Sequence, residues 1–275
     1  MPILTLSTDF GTKDHFVAAL KGSLIQAIPD IKLVDITHEI APFNVVEAAY
    51  IIRNAYASFP KKSIHLVGVD AEFQPGKQHV VVVLDDHFFI CSDNGVLTWL
   101  AQEIAAEKMI AITAFEELKN SVFPVRDVFT KVAAHIAGGG TLDAMGHRID
   151  RLRDLKIPTP IVGKDQIQGR VIYVDHFGNA VTNITEKLIR GVGRSRKLEI
   201  HARSCTFDRI YNRYGDIERL ESHSDGLSDG KKLALYNSSG LLELSIYRSN
   251  SATVGGAATL FGLQYRDSVG IQFFD

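Results

Sequence analysis

Short apolar runs alternate with helical patterns along the first half of the chain. Residues 3–10, 31–37 and 63–70 are rich in Val, Ile, Leu and Thr, as β-strands are. Apolar residues recur at helical spacing over 16–28 and 44–56, which predicts two helices. This alternation is typical of βαβ units. It predicts an α/β N-terminal domain with a mostly parallel sheet.

The rest of the first half adds a hairpin and one more helix. Two apolar runs within 79–92 meet at Asp85 and Asp86, which predicts two strands joined by a turn. A last helix is expected from Asp127 to the glycines at 138–140, which end it.

The pattern changes after residue 148, where charges, two prolines and a glycine replace the periodic runs. Beyond it, short strand-like runs are separated by Gly, Asn, Asp and Ser, with little helical period. We therefore predict an α/β domain over 1–155, a linker over 156–167, and a smaller all-β barrel over 168–275.

Composition narrows the class of protein. With 45% hydrophobic residues, 23% charged residues and a net charge of -2, the chain reads as an ordinary globular protein, and nucleic acid is not an expected partner. The N-terminus lacks a signal peptide and no run of 18 apolar residues occurs, so we expect a cytoplasmic protein without a membrane partner. Cys91, Cys205 and the scattered histidines show no metal-ligand spacing, so no metal is expected.

Polar residues interrupt the strand patterns at three places. Asp9 ends the first strand, at the edge where α/β sheets bind ligands, although a helix cap would also explain it. Residues 175–179 (DHFGN) break a later strand; a hairpin accounts for Gly-Asn but not for Asp175 and an exposed Phe177. Residues 237–240 (NSSG) end another strand.

At these residues the chain resembles the S-adenosylmethionine hydroxide adenosyltransferases, a family that also contains fluorinases and chlorinases. The resemblance covers nearly the whole length. Six blocks stand in the family's order: STDFGTKDHFVAALKG, VDITHEIAPFNVVEAAYII, DNGVLTWL, VRDVFTKVAAHIAGG, DHFGNAVTNI and NSSGLLEL. The resemblance implies an α/β domain, a C-terminal β-barrel, and homotrimers that bind S-adenosylmethionine between the domains of neighbouring subunits.

The resemblance also implies roles for individual residues. Substrate binding is assigned to residues in both halves: Asp9 on the ribose hydroxyls, Phe43 near the sugar, Asn94 and Phe123 in the same site, Asp175 on the methionine ammonium, Phe177 and Asn179 beside the adenine, and Ser238 on the methionine carboxylate.

The implied reaction displaces methionine from C5′ of the nucleoside by water, with no cofactor, and the family uses an Asp, an Arg and a His to activate the water. Asp70 keeps the first position and Lys77 replaces the Arg, so these two are the predicted catalytic residues. Pro124 occupies the His position, and its side chain can exchange no proton. His79 could fill that gap, although an exposed loop histidine is the simpler interpretation.

Three functions remain open on the sequence alone. The favoured one is a hydrolase that forms adenosine and methionine. A non-catalytic binder of S-adenosylmethionine or adenosine is the second, because both Arg and His are lost. An enzyme with another nucleophile or nucleoside is the third. Halogenation ranks low, since Val125 stands where halogenating members carry a small residue beside the halide.

Overall fold

The computed structural model describes residues 1–155, 158–194, 196–221, 229–250 and 255–275, without the side chains of Gln102, Glu116, Leu220 and Glu221. The chain forms two compact units, Met1–Lys156 and Ile157–Asp275. Lys156 and Ile157, at the start of the predicted linker, lie outside the described residues, and the linker also includes a short strand, Ile161–Val162. The domain limits drawn from the sequence stay a prediction.

The first unit contains seven strands and four α-helices among its described residues. The strands are β1 (Ile3–Thr8), β2 (Lys32–Thr37), β3 (Ile64–Gly68), β4 (His79–Leu84), β5 (His87–Ser92), β6 (Lys108–Ile112) and β7 (Gly146–Arg148). The helices are α1 (Phe16–Ala27), α2 (Val45–Ala55), α3 (Thr98–Glu103) and α4 (Thr130–Ala137), with 3-10 turns at Tyr56–Ser58, Glu116–Leu118 and Leu142–Met145 and a π-helical turn at Val125–Phe129.

The sheet of the first unit is mixed, so the expectation of a mostly parallel sheet was wrong. Its strand order is β2-β1-β3-β5-β4-β6-β7. The pairings β1–β2, β1–β3 and β3–β5 are parallel, whereas β4–β5, β4–β6 and β6–β7 are antiparallel. The reversal comes from the hairpin at Asp85 and Asp86, whose φ angles of 50° and 60° suit a tight turn between antiparallel strands.

Helices cover both faces of this sheet. Along β4, Val81 and Val83 join the apolar cluster beneath α1 and α4, while Val80 and Val82 join the cluster beneath α2 and α3. A strand that is covered on both faces needs apolar residues at every position, and β4 is buried throughout. This explains why its sequence is a continuous valine run.

The second unit contains eight strands and three short helices among its described residues. The strands are β8 (Ile161–Val162), β9 (Gln166–Val174), β10 (Ala180–Thr185), β11 (Lys197–Ala202), β12 (Cys205–Phe207), β13 (Lys232–Tyr236), β14 (Leu241–Ile246) and β15 (Ser268–Phe274). The helices are α5 (Glu186–Gly193), α6 (Asp216–Glu221) and α7 (Ala257–Leu260).

This sheet is antiparallel and nearly closed, which confirms the predicted barrel in outline. Its order is β12-β11-β15-β9-β10-β14-β13, with β8 on the side of β9. The two end strands, β12 and β13, approach each other, and Tyr211 beyond β12 donates a backbone hydrogen bond to Ala234 of β13. The interior is filled by alternate residues of the strands, such as Ile200, Leu242 and Ile271.

Phe89 provides a test of the packing of the first unit, because its side chain is fully buried and its ring stacks on that of His65. We expect Phe89→Ala to lower the free energy of unfolding by about 3–5 kcal/mol, the usual range for truncating a buried Phe. The chain's one tryptophan, Trp99, packs against the same cluster, so its fluorescence during urea unfolding reports on this unit.

Val122→Ala is the control, because Val122 is 97% exposed. It should change the same free energy by less than about 0.5 kcal/mol. Equal effects of the two substitutions would contradict the packing described for Phe89.

Candidate functional site

Two carboxylates meet where the strand order of the first unit reverses. The chain passes from β1 to β2 on one side and then returns to β3 on the other side of β1. Asp9 follows β1 and Asp70 follows β3, so both lie at the carboxyl ends of parallel strands at a switch point. Open α/β sheets bind their ligands at such points.

Asp9 is half-buried and is held by backbone donors. Its Oδ2 accepts a hydrogen bond of 2.9 Å from the N–H of Phe43 and a longer one of 3.5 Å from the N–H of Asp70. Burial raises the pKa of Asp9, and these two hydrogen bonds only partly offset that effect. The sequence left open whether Asp9 caps the following helix; His15 is the residue at that N-cap.

Asp70 is held by a buried lysine. The Nζ of Lys77 lies 3.0 Å from Asp70 Oδ1 and donates a 2.9 Å hydrogen bond to the Asp70 carbonyl oxygen. The Lys77 side chain is 2% exposed and that of Asp70 is 26% exposed. Asp70 also has a φ of 44°, a conformation that Asp tolerates better than most residues. The two bonds from Lys77 therefore fix both the backbone and the carboxylate of Asp70.

A tight turn brings Lys77 back to Asp70. Gln74 accepts a backbone hydrogen bond of 3.1 Å from Lys77, and Pro75 and Gly76 are the central residues of the turn. Gly76 has a φ of 77°, the conformation that the third position of a type II turn requires, and proline suits the second. The segment PG in the sequence thus explains how two residues seven positions apart form a close ion pair.

The two carboxylates open onto a cleft of about 330 Å³. One wall is aromatic: the Phe123 ring packs edge-on against Phe10 and Phe16 at centroid distances of 5.5 and 5.6 Å. The other lining residues are Asp9, Pro42, Phe43, Asp70, Ala71, Glu72, Val122, Pro124 and Val125. Four predicted residues, Asp9, Phe43, Asp70 and Phe123, therefore line one cleft. The sequence had not singled out Phe10 and Phe16.

Phe43 stands at the rim of the cleft in a strained backbone conformation. Its side chain is 67% exposed and its φ is 63°. The turn is held on one side by the bond to Asp9 and on the other by Asn44, whose side chain accepts from the N–H of Glu47 and caps α2. An exposed ring fixed by its backbone is suited to contact a ligand rather than the core.

Pro124 and Val125 form the part of the cleft where the sequence departs from the resembled family. Pro124 precedes the π-helical turn Val125–Phe129, an irregularity that often occurs at functional sites. Val125 is 2% exposed, and its methyl groups would lie 3.0 and 3.2 Å from a Cβ placed on Gly68. Its side chain therefore fills the space beside the end of β3.

His79 is buried and serves the loop that carries Asp70. Its Nε2 donates a 2.8 Å hydrogen bond to the carbonyl of Ala71, and its ring packs against Phe73 and Phe129. Burial, with a smaller contribution from the charge of Lys77, lowers the pKa of His79. The interpretation as an exposed loop histidine is therefore wrong, because the ring is 3% exposed. Because Nε2 donates its hydrogen bond to the backbone carbonyl of Ala71, this nitrogen is not free to bond to another group.

Both polar atoms of the Asn94 side chain form hydrogen bonds within the protein. Its amide nitrogen donates a 2.9 Å hydrogen bond to the carbonyl of Val69, and its oxygen accepts from the N–H of Val96. Asn94 thus ties the segment after β5 to the residue before Asp70. Asn94 was predicted to bind substrate, but it is not among the residues that line the cleft; it lies next to the end of β3.

A second histidine, His38, bonds to residues on either side of Asp9. Thr8 and His38 share a 2.8 Å hydrogen bond through Nδ1 of the ring, and the His38 carbonyl accepts from the N–H of Gly11. His38 Nε2 lies 3.2 Å from Asp35 Oδ1, outside hydrogen-bond geometry. Sequence reasoning missed this pair; the position of His38 directly after β2, in the block VDITHEI, was the available signal.

In the second unit, Asp175 and Asn179 form a closed loop. Both Asp175 oxygens accept 2.8 Å hydrogen bonds from Asn179, one from its backbone N–H and one from its side-chain nitrogen. The loop leaves Phe177 60% exposed, and Gly178, which follows it, has a φ of 80°. The structure therefore brings these three predicted residues together in one turn.

Ser238 lies exposed in the turn between β13 and β14. The Asn237 side chain holds that turn, because its oxygen accepts from the N–H groups of Ser239 and Leu241. Gly240 completes it with a φ of 68°.

A larger cavity lies away from every predicted site residue. It has a volume of about 610 Å³ and opens between β12 and β13. Its lining is mostly polar or charged: Glu199, Thr206, Phe207, Asp208, Arg209, Tyr211, Lys231, Lys232 and Leu233. Size alone does not favour it, because it lacks the convergent, constrained groups found at the strand ends of the first unit.

Two further findings concern the described residues only. No group of three or more His, Cys, Asp or Glu side chains among them could hold a metal ion. Within the same residues, no helix has the length and apolar character that crossing a membrane requires.

Comparison with known families gives two matches that together span most of the chain. Residues 4–146 match the SAM hydroxide adenosyltransferase N-terminal domain. Residues 169–270 match the SAM hydroxide adenosyltransferase C-terminal domain.

Similar proteins carry corresponding names. A Methanocaldococcus jannaschii protein named (R)-S-adenosyl-L-methionine hydrolase is 28% identical, over 98% of this chain and 96% of its own length. A Salinispora arenicola protein of the same name is 30% identical, over 75% of this chain and 82% of its own. An uncharacterized conserved protein from Thermotoga maritima has a similar structure, with a TM-score of 0.82 and 29% identity over 98% of this chain and 99% of its own.

The raised pKa of Asp9 predicts a pH-dependent effect of Asp9→Asn. Ionised Asp9 destabilises the folded state above its folded pKa, and this effect disappears once the carboxyl is protonated in both states, below the ordinary value of 3.8. We expect Asp9→Asn to raise the free energy of unfolding slightly at pH 7. The gain should shrink as the pH falls toward 4 in urea titrations.

Asp35→Asn is the control with the opposite sign. Although burial raises the pKa of Asp35, the Lys21 ammonium and the His38 ring beside it lower that pKa overall. Asp35→Asn should therefore reduce stability at pH 7, and this loss should diminish on acidification. A loss of stability in Asp9→Asn at pH 7 would contradict the burial described for Asp9.

Proposed function

This chain belongs to the SAM hydroxide adenosyltransferase family, and from that premise we propose that it hydrolyses S-adenosylmethionine to adenosine and L-methionine. The observation that carries the proposal is the Asp70–Lys77 ion pair, because Asp70 lines the cleft together with Asp9. Because its relatives are named (R)-S-adenosyl-L-methionine hydrolases, the proposed substrate is the epimer with the (R) configuration at sulfur.

In the first unit, the cleft suits the nucleoside part of the substrate. Asp9 would accept hydrogen bonds from the ribose hydroxyls, which a carboxylate at a strand end is placed to do. The Phe43 and Phe123 rings would pack on the sugar and its neighbouring atoms. Asn94 would act indirectly, by holding the strand end next to Asp70.

In the second unit, the proposed contacts are with the amino acid and the base. Asp175 would bind the methionine ammonium, Phe177 and Asn179 would bound the adenine, and Ser238 would donate to the methionine carboxylate. The exposure of Phe177 and Ser238 and the fixed geometry of the Asp175–Asn179 loop support these assignments.

The reaction moves one bond and one proton. The oxygen of a water molecule attacks C5′ in line with the carbon–sulfur bond, and the electron pair of that bond leaves with sulfur, which becomes the neutral thioether of methionine. Asp70 accepts the proton that water loses. Because the sulfonium is already a good leaving group, the step requires neither a general acid nor a cofactor. It requires a water molecule that is held in line with the carbon–sulfur bond, in a cleft from which most other water is excluded.

Lys77 orients the base. Its two hydrogen bonds to Asp70 leave one carboxylate oxygen, Oδ2, for the water. The Lys77 ammonium holds Asp70 because it is buried and bonds to two Asp70 oxygens. An arginine at this position would instead bind the carboxylate with two N–H groups of its planar guanidinium. Pro124 supplies no proton acceptor, so the proposal assigns base catalysis to Asp70 without a histidine.

Halogenation is disfavoured by the packing of Val125. Its methyl groups occupy the space beside Gly68, and a valine side chain offers no hydrogen bond to a halide. The competing function is a non-catalytic binder, which the proline at position 124 favours. The two differ in one observable, the release of products.

We also propose a homotrimer with intersubunit sites and a cytoplasmic location, which the resemblance implies. Light scattering of the purified chain tests the first, and a monomer would contradict it.

Asp70→Asn tests the proposed chemistry. The amide retains the size of Asp70 and tolerates its positive φ, but it no longer accepts a proton. We expect turnover of S-adenosylmethionine to fall by roughly a hundredfold or more, while its Kd changes by no more than a few fold. Product release is followed by chromatography and binding by calorimetry.

The matched control is Asp86→Asn, which also has a positive φ but lies in the β4–β5 hairpin. It should leave both turnover and Kd unchanged. Full turnover in Asp70→Asn would overturn the assignment of the base, and absence of products from the unaltered chain, with binding intact, would leave the non-catalytic function.

A further inference from the structure

Buried polar side chains line one face of β14 that the proposed reaction does not use. Leu242 and Leu244 point into the barrel interior. Since side chains alternate along a strand, Glu243 and Ser245 point to the opposite face. Both are nevertheless buried, with exposures of 4% and 0%. A buried glutamate outside the interior of a small barrel requires an explanation.

The loop of Asp175 and Asn179 ends on the same face. Ala180 pairs with Val174 in β9 and with Leu244 of β14, and it belongs to the barrel interior. Asn179 directly precedes Ala180, and Asp175 directly follows Val174. Alternation therefore directs both side chains to the face that carries Glu243 and Ser245.

Glu243 is held through one of its two oxygens. Its Oε1 accepts hydrogen bonds from the Tyr214 hydroxyl and, at 2.8 Å, from the Ser245 hydroxyl. The hydrogen bonds of Glu243 to described residues therefore use Oε1 alone. Burial, the bond to Glu243 and the nearby charges of Glu243 and Asp175 all raise the pKa of Tyr214, so the tyrosine stays a neutral donor between two carboxylates.

The cluster contains one buried acceptor without a donor, and its two carboxylates have no cationic partner among the described residues. Asn179 is 4% exposed, and its Oδ1 is buried with no hydrogen-bond partner among the described residues. The ion pairs between described residues of the second unit involve neither Asp175 nor Glu243. Asn179 Oδ1 is therefore an unpaired buried acceptor, which lowers stability unless a ligand supplies a donor.

We propose that Glu243 is a ligand-binding residue that, together with Asp175 and Asn179 Oδ1, receives a primary ammonium group. An ammonium offers three donors and a positive charge, which match three acceptors of which two are carboxylates. The ligand's identity, the ammonium of the methionine part of S-adenosylmethionine, rests on the proposed function. Tyr214 is a positioning residue, because it orients Glu243 without contacting the ligand.

Glu243→Gln in the full chain tests the proposal. Glutamine keeps the shape and an acceptor for Tyr214 but removes the charge. We expect the Kd for S-adenosylmethionine to rise roughly tenfold to a hundredfold, the effect of losing a hydrogen bond to a charged group. The Kd for the analogue in which hydrogen replaces the α-amino group should stay within twofold of that of the unaltered chain, as should the Kd for adenosine.

Glu218→Gln is the matched control, because Glu218 also accepts a tyrosine hydroxyl, that of Tyr247, but its side chain is 50% exposed. It should bind all three ligands as the unaltered chain does. If Glu243→Gln fails to fold by circular dichroism, Tyr214→Phe carries the same test, with a smaller loss confined to S-adenosylmethionine.

Two results would overturn the inference alone. Binding of S-adenosylmethionine by Glu243→Gln within twofold of the unaltered chain shows that Glu243 does not face the ammonium. Equal weakening of all three ligands shows a structural role. Failure of the unaltered chain to bind S-adenosylmethionine at all overturns the proposed function as well, so the two failures are distinguishable.

Discussion

The ion pair between Lys77 and Asp70 is the interaction on which the site depends. A buried ammonium requires acceptors, and Asp70 provides two of them, its carbonyl and one carboxylate oxygen. In return, the lysine holds Asp70 in a conformation with positive φ at the end of β3. Because the N–H of Asp70 also approaches Asp9, the two carboxylates of the cleft keep a fixed relation to each other. A second set of fixed contacts, through Phe43, sets the opposite rim.

Much of this arrangement follows from the sequence, for identifiable physical reasons. Asp9 and Asp70 end apolar runs, and strand ends gather at one edge, so their proximity was predictable. The PG turn that returns Lys77 is also visible in the sequence. The alternation of strands and helices suggested a mostly parallel sheet. The hairpin at Asp85 and Asp86 instead makes β4 antiparallel to β5, and β6 and β7 extend that side of the sheet by further antiparallel pairings.

Other features depend on contacts between distant residues, which spacing does not reveal. Whether His79 is exposed depends on the packing of Phe73 and Phe129 around it. The burial of Glu243 depends on Tyr214, 29 positions away along the chain. For Asn94, an amide at a strand end is compatible with ligand binding or with internal bonding, and only its partners, Val69 and Val96, show which occurs.

The two units would offer different contacts to the proposed substrate. The first offers a carboxylate pair and aromatic rings, and the second offers acceptors without a cationic partner among the described residues. The most direct test of hydrolysis at C5′ is turnover of the (R) and (S) epimers of S-adenosylmethionine in water enriched in oxygen-18, with mass spectrometry of both products. We predict equal amounts of adenosine and methionine, with one oxygen-18 atom in the adenosine and none in the methionine. Adenosine without the heavy isotope, or binding of both epimers without products, would contradict it.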